Sequence, residues 1–318
     1  MIFSSSEISN IISNFSITGK LIKVKKLHSG TVNLSFKISI SYKNVIKHYV
    51  LQKINKIVFS NPELLTKQTQ KVLINLSKSN LNTSLFILTN DGKYTAFVNS
   101  EYWRLMEYIE DTTVKNKITT KEGLNLGMTL AKYHNALANI SKSLIQIQID
   151  NFHYFKLTLK SFLENHCFKS ENKIETSFIQ IIEYWSDDYL NLIDKLPNNL
   201  TAQLIHGDTR LNNFLFSTKG DKTIYLIDYD TLYFDRLNID LADFIRSIID
   251  DFKDLKVVKH FLKGYLKSSH QINSIDLKYL LDFVRLLSFE LALRFMSDFL
   301  SSFCSILVII RCQIFTTF

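Results

Sequence analysis

The sequence predicts an α+β chain of two lobes, a small antiparallel sheet with one helix followed by a larger, mainly helical lobe. Three observations lead there. Segments rich in Val, Ile, Phe and Tyr crowd the first third, helical periodicity dominates after residue 120, and one strand-like island, Ala202 to Asp228, interrupts the helices. The character changes at Glu110-Asp111-Thr112, so residues 1–109 are expected to form the sheet-rich lobe and residues 110–318 the helical one. The chemistry then belongs in the cleft between them.

Residues 20–26, 32–40 and 45–54 alternate in part and read as a three-stranded meander. Asn61 can cap a helix and Pro62 suits its first position, so a helix is expected to Leu76, with Leu64, Leu65, Val72, Leu73 and Leu76 as its apolar stripe. Asn90-Asp91-Gly92 is a turn signal, and Leu85–Leu88 and Tyr94–Val98 are expected to pair across it. Trp103–Ile109 supplies the last strand of the small lobe. Leu124, Met128, Ala131, His134 and Leu137 recur at helical spacing within 120–138, with His134 a satisfied core histidine. Further helices are expected at 155–166, 175–193, 240–251, 255–268 and 276–300.

A length of 318 residues suits roughly two compact units. Hydrophobic residues at 46% and charged residues at 21% fit a folded chain and exclude disorder. Two prolines and eight glycines leave no low-complexity linker. The excess of 38 basic over 30 acidic residues gives +8, but the lysines are scattered, which suits an anionic ligand such as a phosphate and is no nucleic-acid footprint. Cys167, Cys304 and Cys312 form neither a disulfide framework nor a C-x-x-C zinc pair, as in a reducing compartment. The N-terminus lacks the basic and apolar regions of a signal peptide. The longest late uncharged apolar run, Phe299–Ile310, falls short of the roughly 20 residues a membrane span needs. A cytoplasmic protein with no membrane or nucleic-acid partner is expected.

The island reads Leu204-Ile205-His206-Gly207-Asp208-Thr209-Arg210-Leu211-Asn212-Asn213-Phe214-Leu215-Phe216, a polar stretch, then Thr223-Ile224-Tyr225-Leu226-Ile227-Asp228. Two apolar strands around a polar turn predict a hairpin. A turn centred between Gly220 and Asp221 sets Asn213 opposite Asp228. Opposed Cβ atoms lie about 5 Å apart, close enough for both side chains to hold one Mg²⁺ at about 2.1 Å. Asp208, on the tight loop entering the hairpin, projects beside the same spot. A carboxylate near a hydroxyl, with a carboxylate and an amide on a hard cation, is what phosphoryl transfer from a nucleotide requires. Asp208 is then the catalytic candidate, accepting the hydroxyl proton or orienting the nucleophile, and Asn213 and Asp228 are the metal ligands. His206 is expected to pack and hydrogen-bond rather than to move protons.

His206-Gly207-Asp208 with Asn213, followed by Ile227-Asp228, resembles the catalytic and metal motifs of the aminoglycoside phosphotransferase and choline kinase superfamily. The resemblance implies a protein-kinase-like bilobal fold. Gly30-Thr31-Val32-Asn33, Leu51-Gln52-Lys53-Ile54-Asn55, Trp103-Arg104, Asp240-Leu241-Ala242-Asp243 to Arg246-Ser247, and Glu290 to Phe295 are similar to its N-acetylhexosamine 1-kinase branch. That branch implies ATP-dependent phosphorylation of the anomeric hydroxyl of an N-acetylhexosamine, with Mg²⁺, and adenine on main-chain groups of a hinge around Glu107–Ile109.

By the same resemblance Asp240 braces the catalytic loop, and Gln52 stands where the wider superfamily places a phosphate-holding lysine. Strand alternation keeps Gln52 and Lys53 from facing the nucleotide together. The Ser29-Gly30-Thr31 turn either lies over phosphates or closes an ordinary hairpin. Asp230 is a candidate for metal or sugar hydroxyls, or for structural hydrogen bonding. Arg246 and Arg294 are candidates for substrate or phosphate, or for ion pairs. His153 recurs in the branch without an assigned role. After Asp298 the chain departs from the branch and turns apolar, which makes a frameshift or truncation near residue 300 an expectation that the other reading frames of the coding DNA would test. The competing acceptors are choline, homoserine or an aminoglycoside, although a cationic acceptor needs clustered carboxylates or an aromatic cage. Outside enzymes, the alternative is a catalytically inactive binding module of the same fold.

Overall fold

In the computed structural model, which describes residues 3–27, 32–146, 152–166, 173–220, 224–252 and 254–315, the first element is helix α1 (Ser5–Ile12). Ser4 caps it: its hydroxyl accepts the Glu7 N–H at 3.2 Å while the Glu7 carboxylate accepts the Ser4 N–H at 2.7 Å. This helix lies outside the elements expected from sequence, although the Ser-x-x-Glu spacing and buried Ile8, Ile11 and Ile12 mark it.

Strands β1 (Lys20–Leu27), β2 (Leu34–Tyr42) and β3 (Val45–Lys53) form the expected meander. After α2 (Pro62–Lys78), β4 (Ala96–Val98) and β5 (Glu101–Glu107) complete an antiparallel sheet in the order β1-β2-β3-β5-β4. Lys43-Asn44 and Asn99-Ser100, all with positive φ, close two-residue hairpins whose twist matches their strands. The hairpin expected across Asn90-Asp91-Gly92 is not formed. Leu85–Leu88 runs beside β5 instead, with the Ile87 N–H on the Leu105 carbonyl at 2.8 Å, and β4 pairs with β5 across Asn99-Ser100. The Thr89–Lys93 turn closes on itself, Thr89 N–H to Lys93 carbonyl at 2.7 Å, and so leaves no ladder to propagate. Ile8, Ile11, Phe15, Phe36, Ile38, Leu51, Trp103 and Leu105 make the core between α1 and the sheet.

A second, larger core takes in Val72, Leu73 and Leu76 of α2; past β6 (Thr112–Val114) it continues in α3 (Thr120–Leu137), capped by Thr119 and Glu122. Then come α4 (Phe155–His166), α5 (Lys173–Asp194), β7 (Ala202–Ile205), β8 (Phe214–Ser217), β9 (Ile224–Leu226) and β10 (Tyr233–Arg236). Helices α6 (Asn238–Phe252), α7 (Leu255–Ser268) and α8 (Ser274–Phe315) close the chain. α8 passes the expected end at 300 because no glycine or proline interrupts it. α3 and α7 touch backbone to backbone: a Cβ on Gly127 would lie 2.0 Å from the Phe261 carbonyl oxygen, and one on Gly264 2.0 Å from that of Leu124. Among the described residues, no helix is long and apolar enough to cross a membrane.

Two small sheets shape the site. β7 pairs with β10, and β8 lies between β6 and β9. The β8–β9 register differs by one residue from the expected one, pairing Phe214 with Leu226 and Phe216 with Ile224. Asn213 therefore meets Ile227, whose N–H it accepts at 3.0 Å, rather than Asp228. Asp228 has left the ladder in a left-handed conformation (φ 67°, ψ 62°). Its side-chain direction follows from that turn and not from strand alternation.

Candidate active site

Strand β7 delivers the chain into the loop His206–Arg210, and buried Asp240 at the start of α6 organises it. One carboxylate oxygen of Asp240 accepts the His206 N–H at 2.8 Å and the His134 Nε2–H at 2.9 Å; the other accepts the Gly207 N–H at 2.7 Å. Burial opposes this charge, but the bonds and charges of His134 and His206 prevail and hold the carboxyl below its ordinary value. Gly207 sits at φ +82°, and a Cβ there would come 2.5 Å from the Thr231 carbonyl oxygen, so no other residue fits without moving the loop.

His206 is buried, and burial pushes its imidazole below the ordinary value. Its Nε2–H donates to the Ile227 carbonyl at 3.0 Å and its Nδ1 accepts the Asp208 N–H at 3.3 Å. Both ring nitrogens are thus occupied in tying the Asp208 loop to the segment before Asp228. Asn213 ends a 3₁₀ turn, and its Nδ2–H donates to the Asp208 carbonyl at 2.7 Å. The Asn213 carboxamide oxygen is left to face a ligand.

A cavity of about 320 Å³ opens between the five-stranded sheet and the β8–β9 hairpin. Gln52, Arg104, Glu107 and Ile109 line it from one side, and Asn213, Asp228 and Asp230 from the other. Asp228 is exposed to this cleft although protein crowds around it. That enclosure, with the charges of Asp230 and Asp208 and against those of Arg104 and Arg210, pushes its carboxyl up to about 7. A carboxylate short of positive charge beside a carboxamide oxygen is a hard-oxygen donor pair that fits a divalent cation such as Mg²⁺.

Asp208 does not line the cavity. Its carboxylate is held by a loop neighbour: the Arg210 Nη2–H donates to Oδ2 at 3.0 Å and Arg210 Nε lies 3.0 Å from Oδ1. Between β5 and β6, the Glu107 carbonyl accepts from Ser84 at 2.6 Å and the Ile109 carbonyl from Thr112 at 2.7 Å. Gln52 faces inward, donating to Ser35 at 2.9 Å, and Lys53 faces the opposite way to pair with Glu101 at 3.0 Å. Ser29, Gly30 and Thr31 lie outside the described residues. Asp230 is buried and bound to Arg104 and Asn33. Arg246 pairs with Asp243 at 2.7 Å, and Arg294 with Glu290 at 2.8 Å while stacking on Phe152; neither lines the cavity.

Several residues at the site escape the sequence reading. His153, in a left-handed conformation, donates from Nε2 to the Gly207 carbonyl at 3.2 Å and meets Glu290 through Nδ1 at 2.7 Å, so it braces the His206–Arg210 loop together with Asp240. Asp243 keeps one buried carboxylate oxygen without a partner. Arg210 carried the one readable signal, a cation two residues after the catalytic candidate.

The fold is shared with solved structures at low identity. An amicoumacin kinase in complex with AMP-PNP, Ca²⁺ and Ami is 15% identical over 93% of this chain and 87% of its own, with a TM-score of 0.70. A microcompartment-associated aminopropanol kinase is 16% identical over 91% and 88%, at 0.69. A spectinomycin phosphotransferase in complex with ADP and spectinomycin is 16% identical over 94% and 89%, at 0.68. These likenesses establish the two-lobed kinase-like architecture. The model of the family described as APH, phosphotransferase enzyme family, matches residues 25–273, and the chain therefore belongs to that family, whose members transfer phosphoryl groups to hydroxyl acceptors.

Proposed function

We propose that the chain transfers the γ-phosphoryl group of ATP to the anomeric hydroxyl of an N-acetylhexosamine, with residues 1–109 holding the nucleotide and residues 110–318 the acceptor. The observation that carries this reading is the convergence of the hinge, Asn213 and Asp228 on one cavity, with Asp208 on the adjoining loop. Asn213 and Asp228 would hold Mg²⁺, which neutralises phosphate charge when bound. Asp208 takes the proton as the acceptor oxygen bonds to phosphorus and the bridging oxygen departs with ADP. Arg210, already beside Asp208, faces the charge that develops on the transferring group.

Support for a neutral acceptor comes from charge compensation around the loop. Asp208 is matched by Arg210, Asp243 by Arg246, and Glu290 by His153 and Arg294. A cationic acceptor would need carboxylates without such partners. One observation favours the second reading, an amino alcohol or aminoglycoside: the unpartnered buried oxygen of Asp243 accepts from an ammonium as readily as from a hydroxyl. ATP consumption across a panel of hexoses, N-acetylhexosamines, choline, homoserine and aminoglycosides separates the two readings. Asp208→Ala should lower turnover by about 10²–10⁴-fold with nucleotide binding intact, and wild-type turnover in that variant would overturn the assignment.

A further inference from the structure

Arg104 enters the cavity from β5 directly opposite Gln52 of β3. Its guanidinium is 2% exposed and every nitrogen is used: Nη1–H and Nη2–H donate to the two oxygens of Asp230, each at 2.7 Å, and Nε–H to Gln52 Oε1 at 2.9 Å. Its face covers the Phe86 ring at 4.9 Å. Asp230 also accepts from Asn33 Nδ2 at 2.7 Å, and Asn33 in turn accepts the Asn55 N–H at 3.0 Å. A single carboxylate from the hairpin segment is therefore gripped by β5 and by Asn33, just before β2, with β3 fixing the guanidinium through Gln52.

On the phosphotransfer reading above, we infer that the Arg104–Asp230 pair is a clamp between the lobes that positions the metal-binding turn Asp228–Asp230 against the small sheet. A buried ion pair is a poor choice for stability alone, because desolvating both charges cancels most of their attraction. What the two-pronged pairing adds is geometry: a planar fork on a carboxylate admits one orientation, which an apolar contact does not impose. Asp230 sits in the three-residue 3₁₀ turn Tyr229–Thr231, and Asp228 is the residue flanking its N-terminus, so locking Asp230 restricts Asp228 as well. The pair also explains Gln52. With a guanidinium already at the adjacent register position, a lysine at 52 would bring a second cation against the first, whereas Gln52 supplies an acceptor to Nε and a donor to Ser35. Arg104 acts through Asp230 and is a positioning residue: all three of its nitrogens are engaged within the protein, on Asp230 and Gln52.

The test is titration of the purified protein with AMP-PNP, with and without Mg²⁺, together with thermal unfolding. Arg104→Met should weaken binding in the presence of Mg²⁺ by about 10–100-fold, the usual effect of removing a group that orients a metal ligand, and should leave Mg²⁺-free binding within about threefold. Arg104→Lys should recover only part of the loss, because an ammonium restores the charge but not the planar fork that fixes the carboxylate's orientation. The double variant Arg104→Met/Asp230→Leu should regain thermal stability by removing both buried charges while staying defective in Mg²⁺-dependent binding. Unchanged Mg²⁺-dependent binding in Arg104→Met, or its recovery alongside stability in the double variant, would overturn the clamp. A wild-type protein that binds no nucleotide would instead bring down the phosphotransfer reading, and the clamp with it.

Discussion

Replacing Asp240 with Asn tests how the His206–Arg210 loop is held. Three N–H donors, from His206, Gly207 and His134, converge on the two Asp240 oxygens, and the carboxylate is wholly buried. Asn keeps one acceptor but turns the other atom into a donor that faces a donor, and it removes the charge. Hydrogen bonds to a charged group contribute about 1.5–3 kcal/mol each, and the amide can keep only part of the set of three. Retention of one acceptor places the expected loss at about 3–5 kcal/mol, read from the urea midpoint at unchanged m-value. The pH dependence gives a second reading. A carboxyl held below its unfolded value contributes stability above the unfolded pKa near 3.9 and loses it as pH falls through the lower folded value. The gap between wild type and variant should therefore be full at pH 6–8 and shrink below about pH 4. Turnover should fall by about 10²-fold or more as the Asp208 loop shifts. A variant within 1 kcal/mol of wild type, with its turnover kept, would refute the idea that Asp240 holds the loop.

Two further outcomes follow from the same geometry. Asp228→Asn should abolish the Mg²⁺-dependent part of nucleotide binding while raising the thermal midpoint of the metal-free protein, because it removes a carboxylate crowded by Asp230 and Asp208; a lowered midpoint would contradict the crowding. Gly127→Ala puts a Cβ 2.0 Å from the Phe261 carbonyl oxygen. Forcing α3 from α7 should cost about 1–3 kcal/mol or more in thermal unfolding, and a neutral result would show that the helices part easily.

Much of the architecture was legible because its signals are local. Periodicity places α2, α3, α4 and α7 within two residues of their observed ends, since an amphipathic stripe and a cap both act over a few residues. The meander β1–β3 is equally readable from branched and aromatic runs. Pairing is a different matter. Asn90-Asp91-Gly92 does make a turn, but which strand follows which depends on the left-handed Asn99 and Ser100, and nothing in their neighbours' polarity announces that conformation. α1 was missed, because its capping box and its stripe of Ile8, Ile11 and Ile12 span only eight residues.

The site shows the same division more sharply. Spacing within one motif was enough to single out Asp208, Asn213 and Asp228, because all three hang on a segment of about twenty residues whose fold is one hairpin. Yet extending the ladder to Asp228 assumed strand alternation where the chain has already turned. Asn213 and Asp228 share the cavity because both lie just outside the ladder, one on a 3₁₀ turn and one in a left-handed conformation. Asp240 and His206 were legible as braces of the loop, but the other residues that hold the motif in place were not, and their separations say why. Arg104 and Asp230 are 126 positions apart, Asn33 and Asp230 are 197, and His153 and Glu290 are 137. A lone Arg on a strand or His in a loop carries no mark of such a partner. Reading the chemistry needs only the groups that act, whereas reading their rigidity needs the contacts that the fold alone creates.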